Sequence, residues 1–172
     1  MKVTLFMAIS LNGIIATPDN QEEFLSHANW DEFIKVVQKR GCLIWGRKTY
    51  ELVRLWPKSY LEPFKNIVKV VISRDKNLKL DSGFVLADSP QTALKLLKDK
   101  SFKEVILTGG STNNSAFAKL GLIDEVILDI EGVIVGKGIP LFNPEEFELK
   151  LQLKSVKKVT ENILQVCYKV LR

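Results

Sequence analysis

Two apolar runs, each the length of one strand and each broken by glycine, constrain this chain more than anything else in it. Cys42-Leu43-Ile44-Trp45 runs into Gly46-Arg47-Lys48-Thr49-Tyr50-Glu51, and Val105-Ile106-Leu107 runs into Thr108-Gly109-Gly110-Ser111-Thr112-Asn113. Uninterrupted apolar residues mark a strand covered on both faces, and a glycine followed by polar, helix-compatible residues reads as strand, turn, helix. Such a turn leaves the first helical N–H groups unpaired at the positive end of the helix dipole, a place that suits phosphate. Glycine also lets a ligand approach the backbone closely. Arg47 and Lys48 add mobile charge to the first of these turns. Two turns of this kind suit the two phosphate-bearing parts of one dinucleotide.

The remaining pattern is mostly strand alternating with helix. Val3 to Ile9 is a nearly continuous apolar run, expected as a central strand, and Asn12-Gly13 is a strong turn signal before Ile14-Ile15-Ala16. The polar stretch from Thr17 to Ala28 is long for a compact domain, as active-site lids are. Asn29 is expected to cap a helix, with Glu32 as its capping-box partner, and Trp30, Phe33, Ile34 and Val37 repeat at the spacing of a stripe packed on a sheet. On that wheel Asp31 lies at the flank of the stripe, within reach of a cleft edge, and Glu32 points away. The other reading of Asp31 is an exposed carboxylate paired with Lys35, worth only ~0.3–0.5 kcal/mol. Lys69 to Arg74 and Phe84 to Ala87 read as strands, and Ser89-Pro90 as a helix cap with proline at the first helical position. From Glu125 onward strands alone are expected, at Val126–Ile130, Val133–Val135, Phe147–Leu153 and Ile163–Leu171, as an antiparallel tail on a mostly parallel sheet.

Length and composition narrow the function classes. A chain of 172 residues, 46% hydrophobic and 26% charged, is expected to form a single domain spanning 1–172 with a real core. No apolar run approaches the ~20 residues of a membrane span, and no signal-peptide pattern follows Met1, so a cytoplasmic location and no membrane partner are expected. The net charge of +5 permits an anionic ligand, but the lysines are dispersed without interleaved aromatics, which argues against nucleic acid. Cys42 and Cys167 lie in apolar runs and are expected as buried, reduced thiols. With His27 the sole histidine and no paired cysteines, no metal site is expected; His27 reads as a loop residue.

Four stretches in order resemble the dihydrofolate reductase superfamily, including the branch that forms the reductase half of riboflavin-synthesis enzymes. They are Met7 to Ala16, Leu43 to Glu51 (a GR-x-T-[WY]-E pattern), Leu107-Thr108-Gly109-Gly110, and Gly136-Lys137-Gly138-Ile139-Pro140-Leu141-Phe142. The resemblance implies a three-layer α/β fold with a central twisted mixed sheet, helices on both faces, antiparallel C-terminal strands, and NADPH as hydride donor. It implies cofactor contacts from Ala8, Asp19, Asn20, Gly46, Arg47, Lys48, Thr49, Ser73, Arg74, Thr108, Gly109, Gly110 and Ser111, with Ser73 and Arg74 at the adenosine 2′-phosphate. It implies substrate contacts from Ala8, Trp30, Asp31 and Ile34, with Asp31 as the catalytic carboxylate that pairs with a pterin. Counting back from Gly46 without a gap puts Trp30 at the carboxylate position, so Asp31 matches with a one-residue shift. Dihydrofolate is then the expected substrate. The riboflavin branch, acting on a ribosylaminopyrimidine phosphate, is the alternative, favoured by the Gly136–Phe142 ending, by Asp129 where a threonine is usual, and by the lack of a glutamate-clamping arginine before Ser73. A non-catalytic nucleotide-binding protein is a further alternative. The folate branch is commonly monomeric and the riboflavin branch commonly dimeric, so either a monomer or a homodimer is expected.

Overall fold

Apolar runs that need cover on both faces become the inner strands of one eight-stranded sheet. The computed structural model describes all 172 residues. In chain order it contains β1 (Lys2–Ser10), β2 (Ile14–Ala16), α1 (His27–Arg40), β3 (Cys42–Gly46), α2 (Arg47–Val53), α3 (Lys58–Leu61), β4 (Val68–Ile72), β5 (Phe84–Ala87), α4 (Pro90–Asp99), β6 (Glu104–Leu107), α5 (Ser111–Lys119), β7 (Glu125–Glu131), β8 (Ile139–Pro140), β9 (Lys150–Lys158) and β10 (Ile163–Leu171). The sheet order is β5-β4-β3-β6-β1-β7-β10-β9, while β2 and β8 form a separate two-stranded ribbon. Pairing is parallel from β5 to β7, and β10 runs antiparallel to both β7 and β9.

Alternate residues of each inner strand serve two cores. Val3, Leu5, Ile44, Val70 and Leu107 pack with Leu97 and Phe117 on the side of α4 and α5. Phe6, Leu43, Trp45, Ile106 and Ile127 pack with Phe33, Val37 and Phe64 on the side of α1. The three-layer α/β architecture with a mixed central sheet is therefore as expected. Ser89 caps α4 by accepting from the Thr92 N–H, with Pro90 in the first turn, as its sequence signal demands.

Several boundaries differ from expectation. β7 is parallel to β1, so the antiparallel tail begins only at β9 and β10. Val133–Val135 is not a strand. The Asn12 side chain donates to the Val135 carbonyl and accepts from the Val135 N–H, while Val133 accepts from the Leu11 N–H and donates to the Glu131 carbonyl, so these groups are paired without a ladder. The last hairpin starts at Lys150 rather than Phe147, and β9 is exposed along its whole length, so Leu151 and Leu153 gain no buried face from their alternation. Lysines along this edge strand discourage edge-to-edge pairing. No helix is long and apolar enough to cross a membrane.

Candidate functional site

Sheet order brings the two glycine turns side by side. The chain leaves β1 near the centre, steps past one position to β3, moves outward to β4 and β5, and returns to insert β6 between β3 and β1. Parallel α/β sheets bind ligands outside the carboxyl ends of their strands at such a reversal. β3 ends at Gly46 beside Ile72 of β4, and Ile44 is level with Leu107, the last residue of β6. The Gly46 N–H donates to the Gly109 carbonyl at 2.8 Å, and the Asn113 side-chain amide donates to the same oxygen at 3.2 Å. Gly109 sits at φ +81°, the left-handed region in which glycine is favoured, and a Cβ there would meet the Met7 thioether. The two turns thus form one unit, with β1 as its floor.

On one side of this unit lies a cleft of about 960 Å³ lined by Arg47, Lys48, Arg74 and Lys137. Gly46, Thr49, Ser73, Gly110, Ser111 and Asn20 also face it, so most of the expected cofactor residues share one wall system. Ser73 is buried just past the end of β4, its hydroxyl accepting from the Asp75 N–H, and Arg74 beside it is exposed. Arg47 is half-exposed and pairs with Glu51 one turn on at 3.3 Å. Four cations, two helix starts and bare glycine backbone make a donor set suited to a dinucleotide carrying an additional phosphate. β8 closes the cleft through Gly138, where a Cβ would lie within 2.5 Å of the Ala16 carbonyl oxygen and against Ile14.

On the other side lies a cavity of about 630 Å³ whose walls are mainly aromatic and aliphatic. Ala8, Thr108 and Gly109 form its base, and all three tryptophans of the chain, Trp30, Trp45 and Trp56, line it. Trp30 lies edge-on to Trp56 at 5.3 Å between ring centres and tilted to Tyr60 at 5.6 Å. Ile15, Glu22, Thr49 and Gly110 line both spaces and form their junction. Glu22, Asn29, Trp56, Tyr60 and, across the junction, Lys137 are site residues the sequence pattern had not singled out. Only Lys137 had a signal, in the Gly136–Phe142 stretch.

The expected substrate carboxylate does not reach this cavity. Helix α1 begins at His27 after Ser26, not after Asn29, because the Glu131 carboxylate of β7 takes the Ser26 N–H at 2.6 Å and also accepts from the Asn29 side-chain amide. That tie buries Asn29 and makes Asn29, Phe33 and Val37 the sheet-facing stripe, one residue round from Trp30. Asp31 consequently points away from the sheet, with its side chain 57% exposed and 3.9 Å from His27. It makes no pair with Lys35, which bonds Glu32 instead. Glu32 turns toward β9 and binds Lys157 at 2.9 Å, so it is neither a capping-box partner nor free. Ile34 packs against the α1-side core without lining either space, and Asp19 accepts from Thr17 at the loop surface, outside the cleft. His27 belongs to α1, not to a loop, and lines the cavity edge-on to Tyr60.

Two carboxyls, Glu22 at the junction and Asp129 in the sheet, are pushed above their ordinary range. Glu22 is exposed at the rim, yet the surrounding walls remove enough water to push it up to about 7, and no cation or donor side chain opposes that direction. Asp129 lies beside Ala8 in the sheet, fully buried. Its Oδ1 accepts from Gln165 at 2.8 Å and its Oδ2 has no partner. Desolvation pushes it up to about 6, reinforced by Glu32 and Glu131 and opposed by Gln165 and Lys157. Cys42 is buried, its thiol donating to the Glu104 carbonyl and pushed up to about 12 by burial; Cys167 is half-buried and both are free.

Comparison with known proteins agrees with this geometry. The family model described as the RibD C-terminal domain matches residues 1–165. Two uncharacterised proteins of Bacillus subtilis strain 168 are similar over nearly their whole length. YwjB is 28% identical over 164 residues, covering 91% of each chain, and YyaP is 24% identical over 176 residues, covering 97% of this chain and 94% of YyaP. A pyrimidine reductase-like protein from Corynebacterium diphtheriae shares the fold at TM-score 0.77 and 14% identity, over 99% of this chain and 92% of its own. The diaminohydroxyphosphoribosylaminopyrimidine deaminase/5-amino-6-(5-phosphoribosylamino)uracil reductase of Thermotoga maritima does so at TM-score 0.77 and 16% identity, over 99% of this chain and 56% of the larger protein. With its sheet order, joined glycine turns and a family match over residues 1–165, the chain belongs to the RibD C-terminal domain family of the dihydrofolate-reductase-like superfamily.

Proposed function

We propose that this protein is an NADPH-dependent reductase of the riboflavin-pathway type, passing a hydride to the sugar carbon of a ribosylaminopyrimidine whose ring is held in the aromatic cavity. The observation that carries the reading is the junction: a cationic cleft and an aromatic cavity meet at Thr49 and Gly110, with Gly109 bonded to Gly46 beneath them. NADPH, when bound, supplies the hydride and leaves as NADP+. Arg47, Lys48, Ser73 and Arg74 hold its phosphates, and Ala8, Thr108 and Gly109 support the place where the two ligands touch. Reduction of the C=N bond of a ring-opened glycosylamine also needs a proton at nitrogen, and Glu22 is the only carboxyl lining the cavity. At neutral pH it is poised to give that proton.

Dihydrofolate is the weaker reading, because pterin recognition of the expected kind needs a carboxylate inside the cavity and Asp31 is outside it. The test is consumption of NADPH with 5-amino-6-ribosylaminouracil, with and without its 5-phosphate, beside dihydrofolate. Turnover of an aminouracil that is indifferent to Asp31→Asn is expected. Turnover of dihydrofolate alone, abolished by Asp31→Asn, overturns the assignment.

A further inference from the structure

On the α4–α5 side of the sheet, helical cover is concentrated away from the last strands. α4 packs on β4 and β5 and α5 on β3, while toward β7 and β10 this core is closed by the strap after β8, through Leu141, Phe142, Phe147 and Leu149. Beyond the strap the same face of the sheet stays apolar. Leu151 and Leu153 of β9 stand level with Val170 and Tyr168 of β10, Val156 is level with Val166, and Leu164 with Ile130 of β7. The register shift between Cys167 and Tyr168 leaves Lys154 without a partner and keeps Val156 on the face of the two leucines.

This face is bare. Leu151, Leu153, Val156 and Leu164 are between 41% and 54% exposed, and Leu128, Ile130 and Tyr168 are only half-buried although β7 and β10 are interior strands. An apolar sheet face is stable in water only against another layer, and this one has none from its own chain. Two nine-residue strands and the adjoining part of β7, at about 3.3 Å per residue and about 4.8 Å between strands, present roughly 400 Å². That is about half of the ~800 Å² that each side of a standard protein interface buries.

The flanks can supply the rest, and their charges are of opposite sign. Where the strap reaches the start of β9 it carries exposed Glu146 and Glu148, whereas exposed Lys154 and Lys158 lie toward the other end of that strand. None of these four residues has an ion-pair partner within the chain. A face that is acidic at one end and basic at the other is complementary to itself when turned end for end. We propose that a second copy of this chain covers it, the two sheets packing face to face about a two-fold axis that sets the acidic end of each against the basic end of the other. Edge-to-edge joining of the two β9 strands is a different arrangement, opposed by the lysines along both. Whatever reaction the site performs, the partner fixes the edge strand whose Lys157 holds Glu32 on α1, the helix that walls the aromatic cavity.

Sedimentation equilibrium of the full chain at micromolar concentration should give twice the 19.5 kDa of one chain. Leu153→Glu with Val156→Glu should raise the dissociation constant of the dimer about 100-fold or more. Glu146→Lys with Glu148→Lys should raise it about tenfold, and adding Lys154→Glu and Lys158→Glu to that variant should restore most of the loss. Should the substituted strand not fold, zero-length carbodiimide cross-linking of the wild type decides instead. The expected product is a covalent dimer joining Glu146 or Glu148 of one chain to Lys154 or Lys158 of the other, located by peptide mass. A monomer at every accessible concentration, a dimer indifferent to both pairs of substitutions, or cross-links confined to other surfaces overturns the proposal. So does a monomer that co-sediments with phosphatidylserine vesicles through Leu153 and Val156, which would make this a lipid-binding face.

Discussion

Glu22 and Asp129 are both carboxyls with raised pKa values, but they carry different consequences. If Glu22 gives the proton, activity depends on its protonated form, which is lost as pH rises through about 7. Turnover of the wild type should therefore fall on the alkaline side of neutrality. Glu22→Gln should lower kcat at pH 6 by about 10²-fold or more and remove that fall, as read from kcat profiles between pH 5 and 9. For Asp129 the effect is on folding. Its folded pKa of about 6 exceeds the ordinary 3.8, so the folded state holds the proton more tightly. Stability is then greatest below pH 4 with respect to this group and is lost as pH climbs to about 6, by on the order of 3 kcal/mol. Asp129→Asn should flatten that slope and stabilise the protein at pH 8, which urea denaturation at several pH values would reveal; an unchanged slope would place the cause elsewhere. Neither residue was legible as a titrating group in the sequence, because each owes its shift to walls assembled from distant segments.

At the scale of elements, the glycine turns were legible because everything they need is local: an apolar run, a glycine, and cations or hydroxyls in the next turn. If Arg47 and Arg74 hold the additional phosphate, as proposed, replacing both by alanine should raise KM for NADPH about tenfold or more and leave NADH little changed. Equal losses for both cofactors would contradict that role. Helix α1 shows the opposite case. Its existence and its apolar stripe were readable, but its start and rotation were set by Glu131, a residue of β7, and a rotation of one position took Asp31 out of the cavity and put Asn29 into it. The β2–β8 ribbon adds a steric constraint, since Gly138 has no room for a methyl group beside the Ala16 carbonyl. Gly138→Ala should displace β8 from β2 and weaken NADPH affinity several-fold with only a modest fall in melting temperature, as calorimetric titration and thermal unfolding would measure.

For the whole molecule, the fold class was readable from strand–helix alternation and glycine turns, whereas strand order was not, because no local signal tells β6 to insert between β3 and β1. The parallel course of β7 was likewise hidden in a strand pattern that suits either direction. That order has a bearing on how the protein comes into being. Lys2 is level with Glu104 and Ser10 with Glu131, so β1 has no partner in the large sheet until β6 and β7 have been made. A growing chain on the ribosome therefore carries this inner strand uncovered through most of its synthesis, and β3 to β5 are the earliest strands able to pair with one another. The junction that unites the glycine turns stays open until Gly109 arrives. A ligand that bridges the two turns can therefore stabilise the chain only after β6 has closed between β3 and β1.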